Sequence, residues 1–229
     1  MTLLRFDNVS KKYPGGHQAL DGLSFSVQAG EMVFITGHSG AGKSTLLKLA
    51  HLSERPSSGG VWFGGKNLNS IRGRHVALHR RKVGVVHQDH CLLLERTVFE
   101  NVALPLQIAG CSATEIRQRV DRMLETLGLA ERAHYRSIDI SSGEQQRVGI
   151  ARAMVSDPDI LLADEPTGNL DPGLAADIMQ MLVGLCAQGT AVVIASHDLA
   201  LVKRMRKRVL VIDKGRLMDD ISPEDLADG

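Results

Sequence analysis

The run Gly37-His38-Ser39-Gly40-Ala41-Gly42-Lys43-Ser44 fits the spacing GxxxxGK[ST]. It follows an apolar stretch, Met32–Thr36, and opens a helix-like run, Thr45–Ala50. That context suits a phosphate cradle. Glycines let the chain curl until successive N–H groups face phosphate oxygens, and a helix N-terminus adds partial positive charge. Lys43 is placed to neutralise β- and γ-phosphates, and Ser44, with Thr45 beside it, to ligate Mg²⁺. A second apolar run, Ile160–Ala163, ends in Asp164-Glu165. Asp164 at a strand end can hold Mg²⁺ through water. Neighbouring side chains on a strand diverge, so Glu165 is expected to point elsewhere. There it can polarise an attacking water as a general base. Phosphoryl transfer needs mainly positioning and charge stabilisation. Each motif alone also fits a glycine turn or an ordinary strand end; together they favour triphosphate hydrolysis.

These groups need a scaffold. Four short apolar runs read as buried parallel strands: Met32–Thr36, Val83–Val86, Ile160–Ala163 and Ala191–Ser196, with a further one at Val209–Asp213. Near the N-terminus, Leu4, Phe6 and Val9, then Leu23, Phe25 and Val27, alternate with polar residues, and Pro14-Gly15-Gly16 and Ala29-Gly30 mark turns. Between the second and third apolar runs, Ile116, Val120, Met123, Leu124 and Leu127 fall at helical spacing in Thr114–Leu127, with Thr114 as a candidate cap. Ser142–Val155 also reads as a helix. The pattern predicts an α/β core with a parallel sheet, an antiparallel β lobe near the N-terminus and an inserted helical lobe.

Composition narrows the function. The 229 residues suffice for one substantial core. A net charge of +1 sets up no global field for nucleic acid, and 3 % aromatics argue against base-stacking platforms. The three cysteines, Cys91, Cys111 and Cys186, have neither disulfide-framework nor zinc spacing, which points to a reducing compartment. No signal peptide is visible, and no apolar stretch nears the ~18 residues of a membrane span. Service to a membrane is therefore expected to run through a partner. The basic run Lys203–Arg208 fits a solvated helix face or a surface that meets anionic headgroups or acidic loops.

Between the two phosphate motifs stands Ile140-Ser141-Ser142-Gly143-Glu144-Gln145-Gln146-Arg147. It resembles the LSGGQ signature of ABC-type ATPases, and the resemblance extends over almost the whole chain. It implies one ABC nucleotide-binding domain over residues 1–229, with a RecA-like core and a helical lobe at roughly 89–156. It implies ATP with Mg²⁺, and a head-to-tail homodimer sandwiching two ATP molecules. The N–H groups of Ser142 and Gly143, with Ser141, would bind the γ-phosphate held by the other subunit; Glu144 belongs to the same segment. The resemblance also implies that Tyr13 stacks on adenine and that Gln88 links Mg²⁺ and water to a membrane partner. Asn169-Leu170-Asp171 would contact the opposite subunit, and His197 the γ-phosphate. Ser142 departs from the usual second glycine and would crowd the phosphate if that position needs φ > 0. His87 departs from a common phenylalanine.

A narrower likeness, carried by the GHSGAGKST loop and Arg96–Ala103, is to the cell-division branch of the family. It implies a polytopic membrane partner, contact with other division proteins, and a peripheral place on the cytoplasmic side of the bacterial inner membrane at the septum. It also implies that ATP turnover there regulates wall hydrolysis. Leu92-Leu93-Leu94 with Val98, Phe99 and Val102 are candidates for a groove receiving the partner's helix, or for plain core. The rival function is the ATPase of a lipoprotein-releasing or macrolide exporter, which shares the LADEPTGNLD block. A nucleic-acid ATPase of the chromosome-maintenance kind would need sustained coiled-coil heptads, which the sequence lacks.

Overall fold

The computed structural model describes residues 1–168 and 170–225. Chain order runs β1 (Thr2–Lys12), β2 (Gln18–Gln28), β3 (Met32–Thr36), α1 (Lys43–Ala50), β4 (Ser58–Phe63), β5 (Lys66–Asn67), α2 (Arg74–Arg80) and β6 (Val83–Val86). Then follow α3 (Val98–Ala109), α4 (Ala113–Thr126), α5 (Ser142–Met154), β7 (Ile160–Asp164), α6 (Pro172–Ala187), β8 (Ala191–Ala195), α7 (Leu199–Met205), β9 (Arg208–Asp213) and β10 (Arg216–Ile221).

Two sheets result. An antiparallel sheet has the order β2-β1-β4-β5. A six-stranded sheet has the order β10-β9-β3-β8-β7-β6, parallel except for the antiparallel edge strand β10. All five apolar runs of the sequence lie in this second sheet. Its central strands β3 and β8 are buried at every position, as strands covered on both faces must be. Alternation sends Met32 and Phe34 into one core with α3 to α6, and Val33 and Ile35 into a second core with α1 and the antiparallel sheet.

Helices α3, α4 and α5 lie between β6 and β7, within the stretch expected to form a helical insertion. In α3, Val98, Val102 and Leu106 are buried at four-residue spacing. Val98 and Val102 are thus core, not groove; of the candidate groove residues, Leu93 and Leu94 are the exposed ones. Helix α4 begins one residue before the expected stretch, because Ser112 rather than Thr114 caps it and accepts from the Glu115 N–H at 3.3 Å. The basic run is not a single helix face. It spans the end of α7, a left-handed Arg206 and the first residue of β9. There Arg208 pairs with Glu31 at 2.9 Å and Asp220 at 2.7 Å, holding its guanidinium above its ordinary pKa. Among the described residues no helix is long and apolar enough to cross a membrane.

Candidate functional site

The C-terminal ends of β3 and β7 and the loop after β8 meet in one cleft of about 1100 Å³. Its lining includes every residue from Gly37 to Thr45, together with Gln88, Asp164, Glu165 and His197. Residues spread over 160 positions of sequence thus share one surface because the parallel strands end side by side.

The glycine loop shows why its residue types are needed. Gly37, Gly40 and Gly42 take φ values of 153°, 79° and 109°. A side chain at Gly42 would meet the Ala19 carbonyl at 2.5 Å, whereas at Gly40 it would find open space. The first is a packing demand, the second a purely conformational one. Gly42 also caps α1 with no side-chain hydrogen bond, and α1 has no acid in its first turn. Its leading N–H groups therefore face the loop without a local anionic competitor. Lys43 is buried, and its ammonium donates to the Gly37 carbonyl at 2.7 Å and the His38 carbonyl at 3.2 Å.

The carboxylate pair departs from the expectation of divergence. Strand β7 ends at Asp164, and Glu165 turns to φ 49° while its N–H bonds the Ala195 carbonyl at 2.9 Å. The left-handed residue breaks the strand alternation, so both carboxylates line the cleft. Glu165 Oε1 lies 2.7 Å from His197 Nδ1. Among the described residues no cluster of three His, Cys, Asp or Glu could hold a metal. Ser44, Gln88 and Asp164 offer one carboxylate and two neutral oxygens. That set fits Mg²⁺, which keeps waters and takes few protein carboxylates when phosphates complete its shell.

Tyr13 does not line the cleft but reaches its edge, with its hydroxyl 3.4 Å from Thr45 Oγ1 and Lys11 Nζ 4.9 Å from its ring centroid. Ser141, Ser142, Gly143, Glu144 and Asp171 are not in the cleft lining either. Asn169 lies outside the described residues, while Asp171 caps α6, accepting from the Gly173 and Leu174 N–H groups at 3.0 Å.

The segment at the start of α5 is closed on itself. Ser141 caps the helix, its Oγ donating to Glu144 at 2.7 Å, and Glu144 also accepts the Ser141 N–H at 2.8 Å. Arg132 donates to the other Glu144 oxygen at 2.8 Å. The Arg132 bond and the two from Ser141 hold the carboxyl down to about 2. Ser142 is the first helical residue and does not take positive φ, so the expected strain is not there. The restrictive position is Gly143, where a side chain would strike Leu174 Cδ2 at 2.0 Å.

Two contributors escaped the sequence reading. Arg132 is one; a charged residue nine positions before Ser141 carries no local signal. The other is the fully buried Asn101, which accepts the Leu93 N–H and donates to the Leu93 carbonyl, both at 2.9 Å, and to Ser137 Oγ at 2.9 Å. It fastens the backbone beneath exposed Leu93 to the segment leading into α5.

A second cavity, about 700 Å³, opens across β6. Its lining carries His51, Arg80, Arg81, His87 and Arg152 beside Leu104, Pro105 and Ile108, and no carboxylate. Burial, then Arg80, His79 and His87, push His51 down to about 4.

The model of the ABC transporter family matches residues 20–168. The Escherichia coli K12 cell division ATP-binding protein FtsE is 50 % identical over 222 residues, covering 97 % of this chain and all of the relative. The structure of cbiO1 from Clostridium perfringens, part of the ABC transporter complex cbiONQ, is 30 % identical with a TM-score of 0.91, covering 99 % of this chain and 91 % of that one. The ATP-binding cassette MJ0796, solved as a dimer in a post-hydrolysis state bound to ADP and Pi, is 33 % identical with a TM-score of 0.88, covering 96 % and 99 %.

Proposed function

The chain belongs to the ABC transporter family, and on that premise we propose that it is the ATP-hydrolysing subunit of an FtsE–FtsX type complex. It couples ATP-driven dimer closure to a membrane partner that regulates wall hydrolysis in cell division. The observation that carries the reading is the single cleft joining the glycine loop, Lys43, Gln88, Asp164, Glu165 and His197. The 50 % identity to a cell division ATP-binding protein over nearly the full chain supports the division role.

In this reading the loop N–H groups from Gly37 to Ser44 cradle the phosphates of ATP. Lys43 exchanges its bonds to the Gly37 and His38 carbonyls for β- and γ-phosphate oxygens, and Tyr13 meets the adenine. Mg²⁺ held by Ser44, Gln88 and Asp164 would offset charge building on the phosphates. Glu165 takes a proton from the attacking water. His197, 2.7 Å from Glu165, orients that carboxylate and reaches the γ-phosphate. The start of α5, with Ser141, Ser142, Gly143 and Glu144, serves the nucleotide of the partner subunit, and Asp171 meets the opposite subunit. That these residues stand outside their own cleft supports an arrangement in which each site is completed in trans; the dimeric cassette MJ0796 supports the pairing. Residues 1–229 act as one nucleotide-binding domain whose helical lobe relays the motion. The place of work is the cytoplasmic face of the inner membrane, at the septum, with other division proteins nearby.

In this reading the partner's surface is the second cavity, which the exposed Ile108 lines, together with the exposed Leu93 and Leu94 of the same helical lobe. Capture of a polytopic membrane protein from solubilised membranes tests this. Leu93→Glu and Ile108→Glu should abolish capture while ATP binding persists. Capture of a solute-transport permease instead, or full capture by both variants, would contradict the assignment.

A further inference from the structure

Residues 87–91 form a wall between the two cavities. Gln88 lines the nucleotide cleft, while His87 and Cys91 line the second cavity together with Arg152. Two successive residues of this wall, His90 and Cys91, hold φ values of 57° and 48°. Side chains disfavour that region because Cβ crowds the following carbonyl oxygen. Such a pair persists where the surroundings over-determine it.

Arg152 supplies that constraint. Its Nη2 donates to the His90 carbonyl and its Nη1 to the Cys91 carbonyl, both at 2.7 Å. A planar guanidinium suits two acceptors side by side, which a single ammonium does not match. Burial pulls the Arg152 pKa below its ordinary value, and no carboxylate contributes to its shift. Its guanidinium is instead bonded to these two backbone carbonyls. Arg152 lies in the last turn of α5, the helix that starts beside Ser141. Thirteen helical residues span about 20 Å. A rigid rod thus joins the signature segment at one end to the wall carrying Gln88 at the other.

We infer that Arg152 is a positioning residue that makes the loop bearing Gln88 move with the helix that begins at Ser141. The inference rests on the proposed roles of Gln88 and Ser141. It adds the part that converts docking of the partner's phosphate on α5 into placement of Gln88 in its own cleft.

The test uses the full chain. Arg152→Ala should lower kcat about tenfold, with KM for ATP changed less than about twofold, because Lys43 and the glycine loop are untouched. Amide hydrogen exchange should quicken at 87–91 and stay unchanged at 37–44. Adding Cys91→Gly should restore part of the lost kcat, since glycine holds φ near 48° without the Cβ clash. If Arg152→Ala does not fold, Arg152→Lys should show the same pattern at smaller amplitude. Wild-type kcat and unchanged exchange at 87–91 in whichever variant folds overturns the inference. So does uniformly faster exchange across the domain, or a kcat that glycine fails to raise. Lys43→Ala separates the two levels: if it keeps turnover, the ATPase site itself is misassigned. If it is inactive while the folded Arg152 variant turns over normally, only the tie fails.

Discussion

The starts of α1 and α5 are both helix N-termini that we propose meet phosphate, yet they are built in opposite ways. Gly42 begins α1 with no side-chain cap and no acid in the first turn. Ser141 begins α5 with a full capping box, and Arg132 holds the Glu144 carboxylate in place. The first leaves its N–H groups to a ligand; the second satisfies its own Ser141 donors. The lesson is a division of labour. An open terminus can bind phosphate within one chain, with a buried lysine beside it. At the self-capped terminus the Ser141 hydroxyl and N–H are already engaged by Glu144, so on our proposal a phosphate that reaches this hydroxyl must first draw it from Glu144. On our proposal this is why nucleotide loads on the α1 side and the α5 side closes over it.

Lys43 carries the largest expected effect at the open terminus. Lys43→Ala should reduce ATP hydrolysis by about 10²-fold or more, read by phosphate release, with nucleotide affinity falling alongside. Near-normal turnover would remove α1 as the loading end. Next come the glycines of the open terminus. Gly42→Ala should destabilise by about 3 kcal/mol, combining left-handed strain with backbone overlap. Gly40→Ala, strained but unobstructed, should lose about 1 kcal/mol. Urea denaturation distinguishes them, and equal losses would show that packing against Ala19 is not the decisive term.

At the closed terminus the expected effects are smaller. Gly143→Ala should destabilise by about 1–2 kcal/mol because the obstructing atom is the movable end of Leu174. Ser142→Gly should stay within about 0.5 kcal/mol, since Ser142 is an ordinary exposed helical residue. A larger effect there would revive a strained signature. Smallest is the charge term of Glu144. Its folded pKa is depressed from 4.5 to about 2. Its contribution is therefore complete above 4.5 and lost as pH falls toward 2. Acid titration of wild type against Glu144→Gln should show the curves converging across that window, with a small gap above it because solvent screens the pair. Parallel curves would mean that Arg132 does not hold the carboxylate.

What could be read in the sequence follows the range of the interactions. The glycine loop was legible because strand, loop and helix are consecutive and the residue types state their own chemistry. The five strands of the parallel sheet were legible because strands covered on both faces show continuous apolar runs. The side of Glu165 was not, because its left-handed turn is tied to a bond with Ala195, thirty positions away. The Arg132 and Arg152 contacts were hidden for a related reason. Both are long polar side chains whose acceptors are settled only by how α5 packs. Ser142 misled because a departure from glycine suggested strain, whereas the residue pressed by a neighbour is Gly143, against Leu174.

On our proposal each cleft is completed by the α5 start of a second copy. Sedimentation velocity of Glu165→Gln with ATP and Mg²⁺ tests it most directly, since this change removes the proposed base while leaving the phosphate ligands in place. The expected species is a dimer that forms with ATP, dissociates with ADP and vanishes when Ser141→Arg is added. A species that binds ATP yet sediments as a monomer throughout would contradict it.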